Sequence, residues 1–173
     1  EVSGVALDRH QAQLSVRPVA DRPGPAAARC SALADACISL DAIVQSERRH
    51  RDGSRDISFI LCRDDRAKAD VALAPLLAQW PGAALEDGPA IARVSAVGAG
   101  MPATAGTAGR MFRFLADAEI NIDLIATSEI RTSCVVPEKD GVAALQAVHT
   151  GFQLGGSSRH QAEGTASPLD ATD

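Results

Sequence analysis

The chain has 173 residues, 46% of them hydrophobic and only 3% aromatic, with no Tyr and a single Trp. That length suits one compact unit or two small ones, with a core built from Ala, Val, Leu and Ile. A net charge of −5 argues against a nucleic-acid partner, and no apolar run approaches the ~20 residues needed to span a bilayer. The start, Glu1-Val2-Ser3-Gly4, lacks an initiator Met and a secretory leader pattern. It points to a processed chain or an excised fragment in the cytoplasm.

In chain order, Val2–Ala6 is a short apolar segment with no evident local home. A strand is predicted near 12–17, then a Gly-containing turn and a helix near 24–36. Ala26, Ala27, Cys30, Leu33, Ala34 and Cys37 fall there at helical spacing. Ile38, Leu40, Ala42 and Val44 alternate as a strand. The charged run 47–56 reads as a solvated hairpin tip rather than a docking patch. A strand near 57–62, a helix near 64–79 and a short strand at Ala83–Leu85 follow. The same series then begins again: strand 91–98, helix 106–118 with Ala108, Met111, Phe112, Leu115 and Ala116 on one face, and alternating Ile120, Ile122, Leu124 and Ala126. Strand 132–136 and helix 139–152 follow, the latter with Val142, Leu145, Val148 and Phe152 on one side. The small residues Ala26, Ala27, Ala34, Ala108 and Ala116 imply helices lying close on a sheet. From Gly155 a polar tail runs to Asp173 and reads as disordered.

The recurrence is a true repeat. Residues 22–46 and 104–128 align without gaps, at the separation of Gly24 and Gly106. Gly24, Ala26, Leu33, Ala34, Asp35, Ala36, Ile38, Asp41, Ile43 and Ser46 meet identical residues at Gly106, Ala108, Leu115, Ala116, Asp117, Ala118, Ile120, Asp123, Ile125 and Ser128. Each copy reads β-α-β-β-α-β, the ferredoxin-like split unit, so the expected class is α+β with antiparallel sheets and helices on one face. The first unit is expected over 10–88 and the second over 89–154. The second copy has no final strand of its own, and Val2–Ala6 is the candidate to supply it.

The four cysteines, Cys30, Cys37, Cys62 and Cys134, form no C-x-x-C pair, and the four histidines are scattered. Small buried thiols in a reducing compartment are expected, with no metal and no cofactor. Gly98-Ala99-Gly100 lacks the third glycine of a dinucleotide fingerprint, because position 103 is Ala. No Cys–His nucleophile is placed by any motif, so no catalytic residue is expected.

The duplicated unit, with Asp21-Arg22-Pro23-Gly24 before an apolar helix, resembles the ACT domain. Gly4-Val5-Ala6-Leu7-Asp8-Arg9, Leu33-Ala34-Asp35-Ala36, Asp41-Ala42-Ile43-Val44-Gln45, Asp52–Phe59, Val94–Met101 and Asn121–Ile130 are similar to the regulatory half of bacterial aspartate kinase. The likeness covers roughly residues 3–156. It implies one ACT unit inserted in the other, with Val2–Ala6 as the last strand of the second. It implies a homodimer, a catalytic kinase domain or subunit as partner, and threonine or lysine bound between units of opposite chains to inhibit aspartate phosphorylation. The kinase domain's Lys-Phe-Gly-Gly motif is absent from this chain.

The residues fit an amino-acid effector. The first pocket is expected from Asp21, Pro23, Gly24, Ala26 and Gln45, closed by Asn121 and Ile122 across the dimer. Free N–H groups at the helix start suit a carboxylate, Gly24 lets the backbone approach, Asp21 faces the ammonium or fixes the turn, and Gln45 bonds a hydroxyl or amine. The second pocket is expected from Gly106, Thr107 and Ala108, closed by Ser39, Leu40 and Asp41. The turn Pro102–Gly106 departs from the family's Ser-His-Pro-Gly type, Ser39 stands where Asn is usual, and Ala108 where some relatives carry a hydroxyl. The second pocket is therefore expected to be the weaker. The competing readings are a free-standing ACT sensor for another enzyme and a dimerisation module without ligand.

Overall fold

Leu14 and Val16, then Ile57, Phe59 and Leu61, are almost wholly enclosed, and each set alternates with residues on the other side of its strand. That alternation recurs at Ala92, Val94 and Ala96 and at Cys134 and Val136. The computed structural model describes residues 2–47, 49–99 and 106–155. Its elements are β1 (Gly4–Asp8), β2 (Gln11–Val19), α1 (Pro25–Asp35), β3 (Leu40–Gln45), β4 (Arg55–Cys62), α2 (Arg66–Leu77), β5 (Ala84–Asp87), β6 (Ile91–Val97), α3 (Thr107–Asp117), β7 (Leu124–Thr127), β8 (Arg131–Pro137) and α4 (Gly141–Gly151). The expected tail after Gly155 and the turn at 102–105 lie outside the described residues.

The strands form two antiparallel sheets, ordered β3-β4-β2-β5 and β1-β6-β8-β7. Both have the order of the split βαββαβ unit. β1 joins the second sheet, pairing with β6 from Gly4 opposite Val97 to Asp8 opposite Arg93. The α+β class read from the repeat is the observed one. Leu33 of α1 and Leu73 of α2 pack on one face of the first sheet. Met111 and Leu115 of α3, with Ala144 and Val148 of α4, do the same on the second. Phe114 and Phe152 meet edge to face, 5.1 Å between centroids, and lock α3 to α4.

The other faces of the two sheets meet in part. Ile60 lies between Phe59 and Leu61 in β4 and so points away from the helices, as does Val135 in β8. These two enclose Ile91 with Ala42 and Leu124 in a third small apolar cluster that joins the sheets. On these faces the repeat leaves a matched pair of contacts. Ser15 and Ser58 hydroxyls lie 2.7 Å apart, and Ser95 and Ser133 hydroxyls 2.8 Å. Each pair stands opposite in register.

Several expectations change. The buried face of α1 is Pro25, Arg29 and Leu33, whereas Ala26, Ala27, Ala34 and Cys37 are exposed. Ala116 and Val142 are exposed as well. Of the small residues expected against the sheets, Ala26, Ala27, Ala34 and Ala116 thus face outward, and Ala108 is half-buried. Cys37 lies past the helix end in the left-handed region at φ 55, as does its counterpart Glu119 at φ 58. In both copies the chain stop is the same: Ile38 and Ile120 N–H donate to Leu33 and Leu115 carbonyls at 2.9 Å, the Schellman closure. β3 does not alternate throughout. A bulge between Leu40 and Ala42 turns Leu40 to the helix side and Ala42 to the junction of the sheets.

Candidate functional site

The glycines that precede α1 and α3 both take positive φ. Gly24 has φ 110 and ψ −45, and Gly106 has φ 86 and ψ −1. Both conformations are ones that L residues rarely adopt. The Gly24 carbonyl accepts the Ala28 N–H at 2.9 Å and the Gly106 carbonyl accepts the Arg110 N–H at 2.8 Å, so each glycine caps its helix. Neither glycine has a side chain to cap its helix with, and neither helix has an acidic residue in its first turn. Pro25, at the first helical position, has no N–H to satisfy. Ala26 and Ala27 therefore present N–H groups with no intrahelical acceptor, at the positive end of the helix dipole. A carboxylate is the complementary ligand.

Asp21 is already engaged. Its Oδ2 forms ion pairs with Arg49, 2.9 Å from Nε, and with Arg55, 3.0 Å from Nε. The carboxylate thus fastens the glycine turn to the charged 47–56 hairpin. Gln45 is exposed at the end of β3, opposite Ile57, while Val19 stands opposite Arg55. The turn and Gln45 therefore share one end of the first sheet. Asn121 and Ile122 belong to the second unit, before β7 begins. Asn121 Nδ2 donates to Asp123 Oδ1 at 3.1 Å, and Ile122 packs on the second core. A groove beside Gly24 is walled by Arg22, Pro23, Leu76, Gln79 and Trp80, and Asn121 and Ile122 take no part in it.

In the second turn Thr107 is buried behind Gly106, and Ala108 is half-buried. Ser39 is exposed, Leu40 leans on the first core, and Asp41 turns to the junction of the units. Asp41 accepts Arg93 Nη1 at 2.9 Å and Gln11 Nε2 at 2.9 Å. Gln11 Nε2 also reaches Asp8 at 2.8 Å, and Arg93 Nη2 lies 3.3 Å from Asp8. Four side chains from β1, β2, β3 and β6 close one polar ring across both sheets. Burial pushes the Asp41 carboxyl up, but hydrogen bonds from Gln11 and Arg93 and the charges of Arg93 and Arg131 outweigh it and hold the group below its ordinary range. Beside the ring is a cavity of about 230 Å³ lined by Asp41, Ala42, Ile60, Arg93, Leu124 and Val135, among others.

Burial pushes the Cys134 thiol up to about 11, which keeps it neutral. Among the described residues no three His, Cys, Asp or Glu side chains gather as metal ligands, and no helix is long and apolar enough to cross a membrane. The polar ring and the burial of Arg29 were not read from the sequence. For Arg29 a signal was present: its partner in the repeat is Met111, a fully enclosed residue.

Residues 94–152 match the family described as ACT domain. The ligand-free regulatory subunit of aspartate kinase from Thermus thermophilus superposes with a TM-score of 0.80 at 38% identity, covering 88% of this chain and 99% of that one. Aspartate kinase from Synechocystis gives a TM-score of 0.79 at 49% identity, covering 90% of this chain and 27% of that one. The aspartokinase of Corynebacterium glutamicum is 40% identical over 157 residues, 90% of this chain and 37% of that protein. The chain therefore spans little more than a third of the length of the curated relatives it matches.

Proposed function

The chain belongs to the ACT-domain regulatory subunits of aspartate kinase, and we propose that it binds threonine, lysine or both where two copies meet, inhibiting aspartate phosphorylation by a catalytic partner. The observation that carries this reading is the pair of equivalent turns. Each sets a positive-φ glycine, which has no side chain to cap with, before a helix whose first turn holds no acid. Such a start is complementary to the carboxylate of a free amino acid, and the repeat provides it twice. The rest of each site lies in the other unit, as expected for a pocket completed by a second chain. Both edge strands on this side are open for that purpose: β3 and β7 end their sheets, and Ile43 and Ile125, equivalent in the repeat, are about half exposed.

In this reading the carboxylate sits on the Ala26 and Ala27 N–H groups, and Gln45 meets the effector's hydroxyl or amine. Asp21 holds the turn through Arg49 and Arg55. Asn121 and Ile122 of the second copy close the pocket. Inhibition then follows from linkage: if the effector favours one arrangement of the dimer, substrates of the catalytic partner must weaken its binding by the same factor.

The test is calorimetry with threonine and with lysine, on chain whose dimer has been confirmed by sedimentation. Saturable heat with either ligand, weakened by Gly24→Ala or Gln45→Ala, is the expected result. A folded dimer that gives heat with neither amino acid at millimolar concentration would leave only an assembly role.

A further inference from the structure

We propose that the groove between the start of α1 and the end of α2 is a binding site for a phosphate-type dianion, held by the side-on edge of Arg29. Arg29 is 97% buried in a helix face that otherwise consists of Pro25 and Leu33, its relative exposure being 3%. Its guanidinium donates through Nη1 to the Pro25 carbonyl at 2.8 Å. Nε and Nη2 are buried and have no hydrogen-bond partner among the described residues. Those two nitrogens form one edge of the planar fork, the edge that grips two oxygens of one anion at once.

A buried guanidinium is normally answered by a carboxylate. Arg55 has Asp21, Arg66 has Asp70 and Asp87, and Arg93 has Asp8 and Asp41. Arg29 has only a backbone carbonyl. Burial accordingly lowers its proton affinity from the ordinary value. The groove it lines, of about 310 Å³, contains no carboxylate and a second cation, Arg22, whose guanidinium lies 5.3 Å from the centre of the Trp80 ring. Two guanidinium groups call for a dianion, which a single carboxylate would leave under-compensated. The Nε and Nη2 atoms are closed off from solvent, so binding requires the groove wall over Arg29 to open. The groove shares the Pro23–Gly24 turn with the effector pocket but opens towards α2, away from Gln45.

The chain carries its own reporter, since Trp80 is the only tryptophan and there is no tyrosine. Trp80 fluorescence is titrated with sodium phosphate on the full chain, against sodium chloride and sodium acetate at matched ionic strength. A saturable change with a millimolar half-point is expected from phosphate alone. Arg29→Met copies the residue of the second unit and should fold; its half-point should rise by about tenfold or more, as loss of a bidentate charged contact requires. Should that variant fail by circular dichroism, Arg29→Lys keeps the charge, removes the edge and should weaken phosphate similarly. Arg22→Ala should weaken it by a smaller factor. Absence of a saturable change in the parent chain, or an unchanged half-point in the Arg29 variant that folds, would overturn the site. An equal response to acetate would overturn its assignment to a dianion.

Discussion

Gly24 and Gly106 stand where side chains are unwelcome for a conformational reason. A Cβ built at either position meets no atom within 4 Å, so space inside the chain is not the constraint. The constraint is the positive φ, which costs an L residue roughly 1–2 kcal/mol. Gly24→Ala should therefore lower stability by about that amount while also moving the Ala26 and Ala27 N–H groups off the effector. The expected outcome is a modestly lower Tm with amino-acid binding weakened well beyond what the loss of folded protein explains. Unchanged affinity by calorimetry in the folded variant would place the pocket elsewhere. The glycine was legible in the sequence because Gly24 and Gly106 are one of the identical pairs of the ungapped repeat. The engagement of Asp21 was not, because Arg49 and Arg55 come from a hairpin some thirty residues away, and ion-pair choice at that range leaves no local pattern.

At the scale of elements, the order of strands and helices was legible from period and repeat, whereas the faces were not. The α1 stripe was read at Ala26, Ala27, Cys30, Leu33, Ala34 and Cys37, but the structure buries Pro25, Arg29 and Leu33. An Ala-rich helix has little amphipathic contrast, so an Arg on the inner face passed as solvent-facing. In β3 strict alternation failed at the Asp41 bulge, which no residue type announces. Helix contacts are better defined in the second unit. Gly151, the last residue of α4, faces the Phe114 ring, and a Cβ there would run into that ring. Arg110 covers the same ring pair, 5.0 Å from the centre of Phe152. Gly151→Ala must displace Phe114 and break the edge-to-face contact, although alanine is the better helix former. The overpacking should win, with a loss of about 1–3 kcal/mol read from urea unfolding. An increase in stability would mean that the α3–α4 contact is looser than described.

For the whole molecule the question is how a ligand at one end of a unit is felt by the other unit. The two sheets share one small apolar cluster and one polar ring, and Asp41, a member of the ring, also lines the cavity beside the cluster. It sits on β3 at the bulge, next to Leu40 and Ser39, which are expected to face the second pocket. Its carboxylate binds Arg93 of the second sheet and Gln11 of the first. On the proposed function, a shift of β3 on effector binding would pull directly on that ring, which would make the ring a route of coupling between units. The ring also has a pH signature. Asp41 titrates below its ordinary value of 3.8 in the folded chain, so it contributes stability that is fully present above that value. The contribution is lost as pH falls through the lower, folded value. Asp41→Asn should cost about 1–2 kcal/mol at neutral pH, since Arg93 keeps Asp8 and the group is partly solvated. The difference between variant and parent should shrink on acidification below about pH 4 and be nearly gone when both carry a neutral side chain. Urea midpoints measured from pH 3 to 7 test this: parallel curves would show that the Asp41 charge does not hold the units together. A variant that keeps threonine or lysine affinity yet loses inhibition of the catalytic partner would place the ring on the path between the two.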